Sequence, residues 1–283
     1  MKAPAFAYAR PDTLAEALGL LARHGADAVV LAGGQSLMPM MNLRMAQPRL
    51  LVDINRIPGL DGIEADGDGL RIGARARHAS VVASPLVRTR APLLAEALGH
   101  VAHAAIRNRG TIGGSLALAD PAAELPACAV CLSAGIVLAS VAGKREVAAA
   151  SFHQGLFATA RRADELVLEV RIPSFPMGWQ YSFTEVARRR GDYAIAGLAF
   201  AWRREGPGAE CRLAFCGIEP APRRLPAVEA LVAEGANQAA VLGALDRLDP
   251  MGTEDAPPAY RRRLAAVLLG RALDRVEAMA DAA

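Results

Sequence analysis

The stretches LAGGQSL at residues 31–37 and TIGGS at residues 111–115 each hold a glycine pair close to a serine, and the two pairs stand 80 residues apart. Glycine has no Cβ, so its amide can meet an anion or a flat ring directly, and it tolerates positive φ. Consecutive amides in a tight loop form a concave anion site. Two such stretches therefore admit a phosphate, and equally admit two tight turns of small residues. Neither matches G-x-G-x-x-G, and neither carries the Gly-Lys-Ser/Thr of a Walker loop, which argues against a doubly wound dinucleotide fold and a P-loop. Around the second pair, Thr111 and Ser115 offer hydroxyls, while Asp120 and Glu124 follow at once. Carboxylates near a phosphate loop suit ribose hydroxyls or an adenine amino group. Asp120-Pro121 also reads as a helix cap with proline at the first helical position, and the two roles can coexist.

Outward from these stretches the chain reads as α+β. Ahead of the first pair, PDTLAEALGLLARHG predicts a helix, with capping-box spacing at Thr13 and Glu16, Leu14, Leu18 and Leu21 on one face, and Gly25 to close it. DAVVLA (27–32) and RLLVDIN (49–55) read as strands flanking a GGQSLMP loop, a compact βαβ-like start. GLRIGARAR (69–77) alternates as a half-buried strand does, and the helices after it break at Pro85 and Pro92. PAAELPACAVCLSAG reads as a helix stopped at Gly135; IVLAS, KREVAAA and ELVLEVRIP read as strands, and SFHQGLF as a short helix. Pro173 and Pro176 mark a boundary near residue 175. Beyond it WQYSFTEVARR, DYAIAGLAFAWRRE and AECRLAFCGI predict an antiparallel meander, followed by helices.

A chain of 283 residues that is 53% hydrophobic and 22% charged can bury about two ordinary cores. Net charge is only +3, which argues against a nucleic-acid binder with its concentrated basic face. No apolar run reaches the ~18 residues of a membrane span, and the N-terminus lacks a signal-type apolar segment, so a cytoplasmic protein is expected. Cys128 and Cys131 form a C-x-x-C, but the segment is small and apolar, and the pair Cys211 and Cys216 has the wrong spacing for a second half-site; buried thiols are expected. His100 and His103 have no acidic third ligand at a fitting spacing, and His78 and His153 read as surface or capping residues. The run Arg188-Arg189-Arg190 suits a solvated turn or a contact with a partner chain.

Taken together, LAGGQSLMPMMNLRMAQPRLLVDINRI (31–57) and IRNRGTIGGSLALADPAAELPA (106–127) resemble the medium, FAD-binding subunits of the molybdenum hydroxylases, the family of aerobic carbon monoxide dehydrogenase and the xanthine dehydrogenases. DELVLEVRIP (164–173), RRRGDYAIAGLAF (188–200) and YRRRLAAVLLGRAL (260–273) extend the likeness in register over nearly the whole chain. The resemblance implies a PCMH-type FAD-binding domain over 1–175, made of subdomains at about 1–56 and 57–175, and an α+β domain over 176–283 with a three-stranded antiparallel sheet packed with helices. It implies that Ala32, Gly33, Gly34, Gln35, Ser36 and Leu37 wrap the FAD pyrophosphate from one subdomain, and Thr111, Ile112, Gly113, Gly114 and Ser115 from the other. It places Glu124, and with less force Asp120, near the ribitol or ribose–adenine portion, adds Val167 as a contact, and sets Tyr193 close to the isoalloxazine. Tyr193 reads equally as an aromatic packed in the core.

The implied role is a relay with no catalytic residue of its own. A large molybdenum-cofactor subunit acts on substrate, a small subunit passes electrons from [2Fe–2S] clusters to this chain, and the chain delivers them to an external acceptor, in a dimer of heterotrimers. A self-sufficient flavoprotein reductase or oxidase on the same fold is the alternative; it needs a general acid by the flavin, for which no residue stands out. Replacing Gly114 with Val is expected to abolish FAD binding with only modest loss of fold, because a side chain there would fill phosphate space. Flavin content of the purified variant checks this, and normal content would refute the placement of the loop.

Overall fold

The computed structural model describes residues 2–203 and 209–281, apart from the side chains of Glu277 and of residues 279–281. Arg204 and Glu205, the end of the second meander run, lie outside the described residues.

Near the N-terminus, β1 (Ala7–Ala9), α1 (Leu14–His24), β2 (Ala28–Leu31), α2 (Leu37–Asn42) and β3 (Leu50–Asp53) build a parallel three-stranded sheet in the order β1-β3-β2. The Thr13 hydroxyl accepts from the Glu16 amide at 3.2 Å and the Glu16 carboxylate accepts from the Asp12 amide at 3.1 Å, which satisfies the free donors at the head of α1. Gly25, at φ 52°, ends that helix. All three strands finish at one edge, and β2 and β3 open there into residues 32–37 and 53–55. The helix α2 was not expected; it starts directly after Ser36, so the loop is shorter than the sequence suggests.

The middle of the chain comprises β4 (Ile63–Asp66), β5 (Gly69–Gly73), α3 (His78–Ala83), α4 (Pro85–Arg90), α5 (Pro92–Leu98), α6 (Ala104–Arg107), α7 (Ile112–Leu118), α8 (Glu124–Cys131), β6 (Gly135–Ser140), β7 (Gly143–Ala148), α9 (Ala149–Phe152), β8 (His153–Gly155), β9 (Ala158–Thr159) and β10 (Leu166–Ile172). Five of the strands form an antiparallel sheet, β4-β5-β10-β6-β7. Its two faces serve two cores because successive side chains point to opposite sides. Ile136 and Leu138 face the helices, whereas Val137 and Ala139 pack with Leu18, Leu21 and Val52 of the N-terminal sheet. In β10 a bulge between Val167 and Glu169 shifts this alternation, so that Val167, Val170 and Ile172 all face the helix side while Leu166 and Leu168 face the other. SFHQGLF is a correction: only its first two residues belong to a helix, and His153–Gly155 pairs with Ala158–Thr159 in a small ribbon.

The expected meander is present as β11 (Gln180–Val186), β12 (Ala196–Arg203) and β13 (Glu210–Cys216), followed by α10 (Pro226–Ala233), α11 (Gln238–Gly243) and α12 (Pro258–Asp281). Leu198, Phe200 and Leu213 pack on Val228, Leu268 and Leu269. Phe183, Ala199, Ala214 and Cys216 face the other way, into the same core as Ala127, Cys128 and Cys131. The C-terminal sheet is therefore buried on both faces, which explains the unbroken apolar run of β12.

Glu165, at the head of β10, is 1% exposed and held by Arg145 at 2.6 and 2.8 Å, by the Arg162 guanidinium at 2.9 Å and by the Arg162 amide at 2.7 Å. The Arg145 hydrogen bonds lead in bringing its carboxyl down to about 2. A carboxyl lowered on folding stabilises the protein above its unfolded value of 4.5 and loses that contribution as pH falls toward 2. Glu165→Ala is expected to cost about 3 kcal/mol at neutral pH and to flatten the acid limb of stability between those two values, measured by denaturant unfolding across pH.

Candidate functional site

The first glycine loop leaves β2 where parallel strands end, the edge at which such sheets bind ligands. Gly34 stands at φ 72° and turns the chain into α2, with its carbonyl accepting from the Met38 amide at 3.1 Å. The amides of Gly34, Gln35, Ser36 and Leu37 donate to no described protein group, while the Gln35 side chain turns back onto the Gly33 carbonyl at 3.0 Å. Four unspent donors around a left-handed glycine make an anion cradle. Gly33 meets a further demand: a Cβ there would overlap the carbonyl of Arg109, so its bare backbone admits another part of the chain.

A polar lattice fixes that approach. Asn55 Nδ2 donates to the Ala32 carbonyl at 2.9 Å and to Asp53 at 2.6 Å, and the Tyr8 hydroxyl donates to Asp53 at 2.5 Å. Arg77 donates to Asn55 Oδ1 at 2.6 Å and to the Arg109 carbonyl, tying the first loop to the segment ahead of the second. Burial alone would raise the Asp53 carboxyl, but the bonds from Tyr8 and Asn55 leave it lowered, so it is an anion. A groove of about 390 Å³ lies here, lined by Gly34, Gln35, Met38, Asn55, Ile106 and Arg109. The Arg109 guanidinium has no hydrogen-bond or ion-pair partner among the described residues. None of Asp53, Asn55, Arg77 or Arg109 was singled out from the sequence; the polar D-x-N that ends the apolar run LLVDIN was the available signal.

The second glycine pair is not a loop but the first turn of α7. Thr111 caps it, its hydroxyl accepting from the Gly114 amide at 3.1 Å. The amides of Ile112 and Gly113 donate to the Ala76 and Ala74 carbonyls at 3.1 and 2.8 Å, and that of Ser115 donates to the Thr111 carbonyl at 3.1 Å. A Cβ on Gly113 would overlap Ala74. Thr111, Ile112 and Gly113 are buried and serve the fold, whereas Gly114 and Ser115 face outward. The first atom a side chain at Gly114 would meet is Thr111 Oγ1, at 2.7 Å, so Gly114→Val also disturbs the cap.

The remaining expected residues gather beyond α7. Asp120 accepts from the Ala122 amide at 2.9 Å in a turn, and α8 begins only at Glu124 behind Ala123; the helix-cap reading of Asp120 is thus corrected. Glu124 is 8% exposed. Burial, with the charge of Glu185 adding, pushes its carboxyl up to about 7. Tyr193 is 71% exposed on the loop between β11 and β12, which rules out the core-aromatic reading. Partial cover of its hydroxyl, then the charges of Asp120 and Glu124, raise its pKa. Val167 is 4% exposed within the helix-side core and does not line the groove.

His78 and His153, expected as surface or capping residues, are buried, with both ring nitrogens unpartnered among the described residues; burial holds each at about 4, so both are neutral. All four cysteines are free and buried, as their apolar settings suggested. Arg188 pairs with Asp255 at 2.6 Å on the surface.

Residues 4–175 match the family described as the FAD binding domain in molybdopterin dehydrogenase, and residues 181–276 match the CO dehydrogenase flavoprotein C-terminal domain. The chain belongs to this family of FAD-binding medium subunits of molybdenum hydroxylases, and is a flavoprotein subunit of an oxidoreductase complex. It is 39% identical to the 6-hydroxypseudooxynicotine dehydrogenase complex subunit alpha of Paenarthrobacter nicotinovorans, over 96% of this chain and 95% of that one. It is 38% identical to the carbon monoxide dehydrogenase medium chain of Hydrogenophaga pseudoflava, over 96% of each. Among solved structures it superposes on carbon monoxide dehydrogenase of Hydrogenophaga pseudoflava with a TM-score of 0.93, at 38% identity, covering 97% of this chain and 98% of that one. Quinoline 2-oxidoreductase from Pseudomonas putida 86 follows with a TM-score of 0.90, at 34% identity over 97% and 98%.

Glu124 yields a test of its own. A carboxyl raised on folding is harmless below its unfolded value of 4.5, and progressively destabilises the protein as pH rises toward 7 and the buried group ionises. Glu124→Gln is therefore expected to raise the Tm of the flavin-free chain by a few degrees at pH 8 and to leave it unchanged near pH 4, read by thermal scans at both values.

Proposed function

We propose that this chain is the electron-transfer subunit of a cytoplasmic molybdenum hydroxylase, assembled as a dimer of heterotrimers with a large molybdenum-cofactor subunit and a small [2Fe–2S] subunit. It takes electrons from the small subunit's clusters and passes them to an external acceptor. The observation that carries the reading is the row of free amides at Gly34–Leu37 beside a groove that the exposed, unpaired Arg109 also lines. An anion with two adjacent phosphates satisfies both at once, as amides donate to its oxygens and the guanidinium offsets its charge. The residues thus fit FAD.

FAD, when bound, supplies a carrier that moves electrons singly or in pairs. The chain's own residues then have distinct tasks. Gly34, Gln35, Ser36 and Leu37 donate to the pyrophosphate, with Ala32 and Gly33 shaping their loop, and Arg109 closes over it. Gly114 and Ser115 offer an open flank and a hydroxyl from the second side, on a turn held by Thr111, Ile112 and Gly113. Asp120 and Glu124 meet the sugar-like hydroxyls, and Tyr193 covers the ring end. Val167 backs α7 from the core. We divide the chain at about 175, with the FAD-binding residues N-terminal to the division except Tyr193, which the C-terminal domain lends to the site.

The isolated chain is expected to bind one FAD without a covalent bond, to turn over no organic substrate alone, and to oxidise a reduced [2Fe–2S] partner. Because the Arg109 side chain supports no described contact, Arg109→Ala should keep the Tm of the flavin-free chain and weaken FAD binding about 10- to 100-fold, by titration of the apoprotein. A colourless chain that takes up no FAD, or turnover by the isolated chain, would overturn the reading.

A further inference from the structure

The ribbon of β8 and β9 has a turn occupied by Leu156 and Phe157, which are 59% and 53% exposed. Phe157 stands at φ 53°, in the left-handed region. A bulky side chain is a true outlier there, and a tight turn that needs positive φ ordinarily takes glycine or asparagine. Core packing does not demand the phenyl group, since half of it is in solvent. Strained residues persist where their surroundings over-determine them, and they cluster at ligand sites.

The surroundings here are specific. The Phe157 amide donates to the Ala119 carbonyl at 3.2 Å. Ala119, also at φ 53°, ends α7 and precedes Asp120. Two strained residues are therefore locked together where the helix of the second glycine pair gives way to the Asp120–Glu124 segment. The Gly217 amide donates to the Pro121 carbonyl at 2.7 Å within the same segment, and Gly191, at φ 86°, lies so close to Ala102 that no side chain fits between them. That second contact seats the loop bearing Tyr193, whose hydroxyl senses Asp120 and Glu124. An exposed, strained phenylalanine is thus mounted beside the acidic segment whose charges reach the exposed Tyr193.

We propose that Phe157, with Tyr193, is an apolar contact for the ring end of FAD, and that the β8–β9 ribbon is a strained mount that presents it. The proposal rests on the FAD placement given under Proposed function. A leucine and a phenyl ring suit one flat aromatic ligand; they are far short of the roughly 800 Å² per side of a stable subunit interface.

The test compares Phe157→Gly, Phe157→Trp and Arg109→Ala in the full chain. Glycine accepts φ 53° without strain, so Phe157→Gly should keep or raise the Tm of the flavin-free chain. The same variant should weaken FAD binding about tenfold and raise the fluorescence of the bound flavin, and Phe157→Trp should restore both. A fall in Tm for Phe157→Gly would make the phenyl structural and overturn the proposal. So would unchanged FAD affinity and fluorescence, including the case in which only co-elution with the partner subunits is lost. If Arg109→Ala also binds FAD normally, the FAD placement itself fails; if Arg109→Ala weakens binding and Phe157→Gly does not, only the role of Phe157 fails.

Discussion

The carbonyl of Arg109 rests where a side chain on Gly33 would stand, and the rest of the site depends on that approach. It closes the parallel N-terminal sheet onto the antiparallel middle layer at the edge where β2 and β3 end. Arg77 holds both sides, through Asn55 on one and the Arg109 carbonyl on the other. With that seam shut, Gly34 and Gln35, whose amides are free, and Arg109 line a common groove. Were the seam open, each half would carry only part of an anion site. Gly33 must therefore be a glycine for the sake of contact within the chain.

The two glycine pairs, similar on paper, use their backbones differently. In the first, the amides stay free because a left-handed turn carries the chain away from any carbonyl partner. In the second, Thr111 and the carbonyls of Ala74 and Ala76 take up the amides, and what remains for a ligand is an open flank at Gly114. In the cradle we propose, hydrogen bonding comes from one side, and the second side supplies shape and a hydroxyl. Beyond it the acidic segment is fed by several parts of the chain, including a C-terminal loop. The shared core of α8 with β12 and β13 makes that possible, because it fixes the C-terminal sheet against the helix that starts at Glu124.

Much of the secondary structure could be read directly. The α1 helix was legible because capping, periodicity and a closing glycine agree. The meander was legible because three long strand-like runs, each holding an aromatic residue, follow one another. Misreadings arose where tertiary contacts overrode local pattern. SFHQGLF contains a ribbon because its backbone finds partners across a two-residue turn and at Ala119, contacts that no window of sequence reveals. His78 and His153 looked like surface residues because histidine is polar, yet layers from elsewhere in the chain cover both. In the site, Gly34, Ser115, Asp120, Glu124 and Tyr193 stood out by residue type and resemblance, whereas Asn55, Arg77 and Arg109 did not, since asparagine and arginine are common at surfaces and these act through partners 22 to 32 residues away.

The sequence by itself determined the α+β class and the order of most elements, because those follow from periodicity and caps, and its resemblance to the molybdenum hydroxylase medium subunits carried the family and its flavin. Only the tertiary structure decided which glycine amides are taken up by the fold and which stay free, that Tyr193 is exposed and Glu124 buried, and that Val167 is a core residue on the helix side of a bulge. The physical reason is that exposure and free hydrogen-bonding capacity are properties of a position after every other segment has packed, and residues far apart in the chain do that packing.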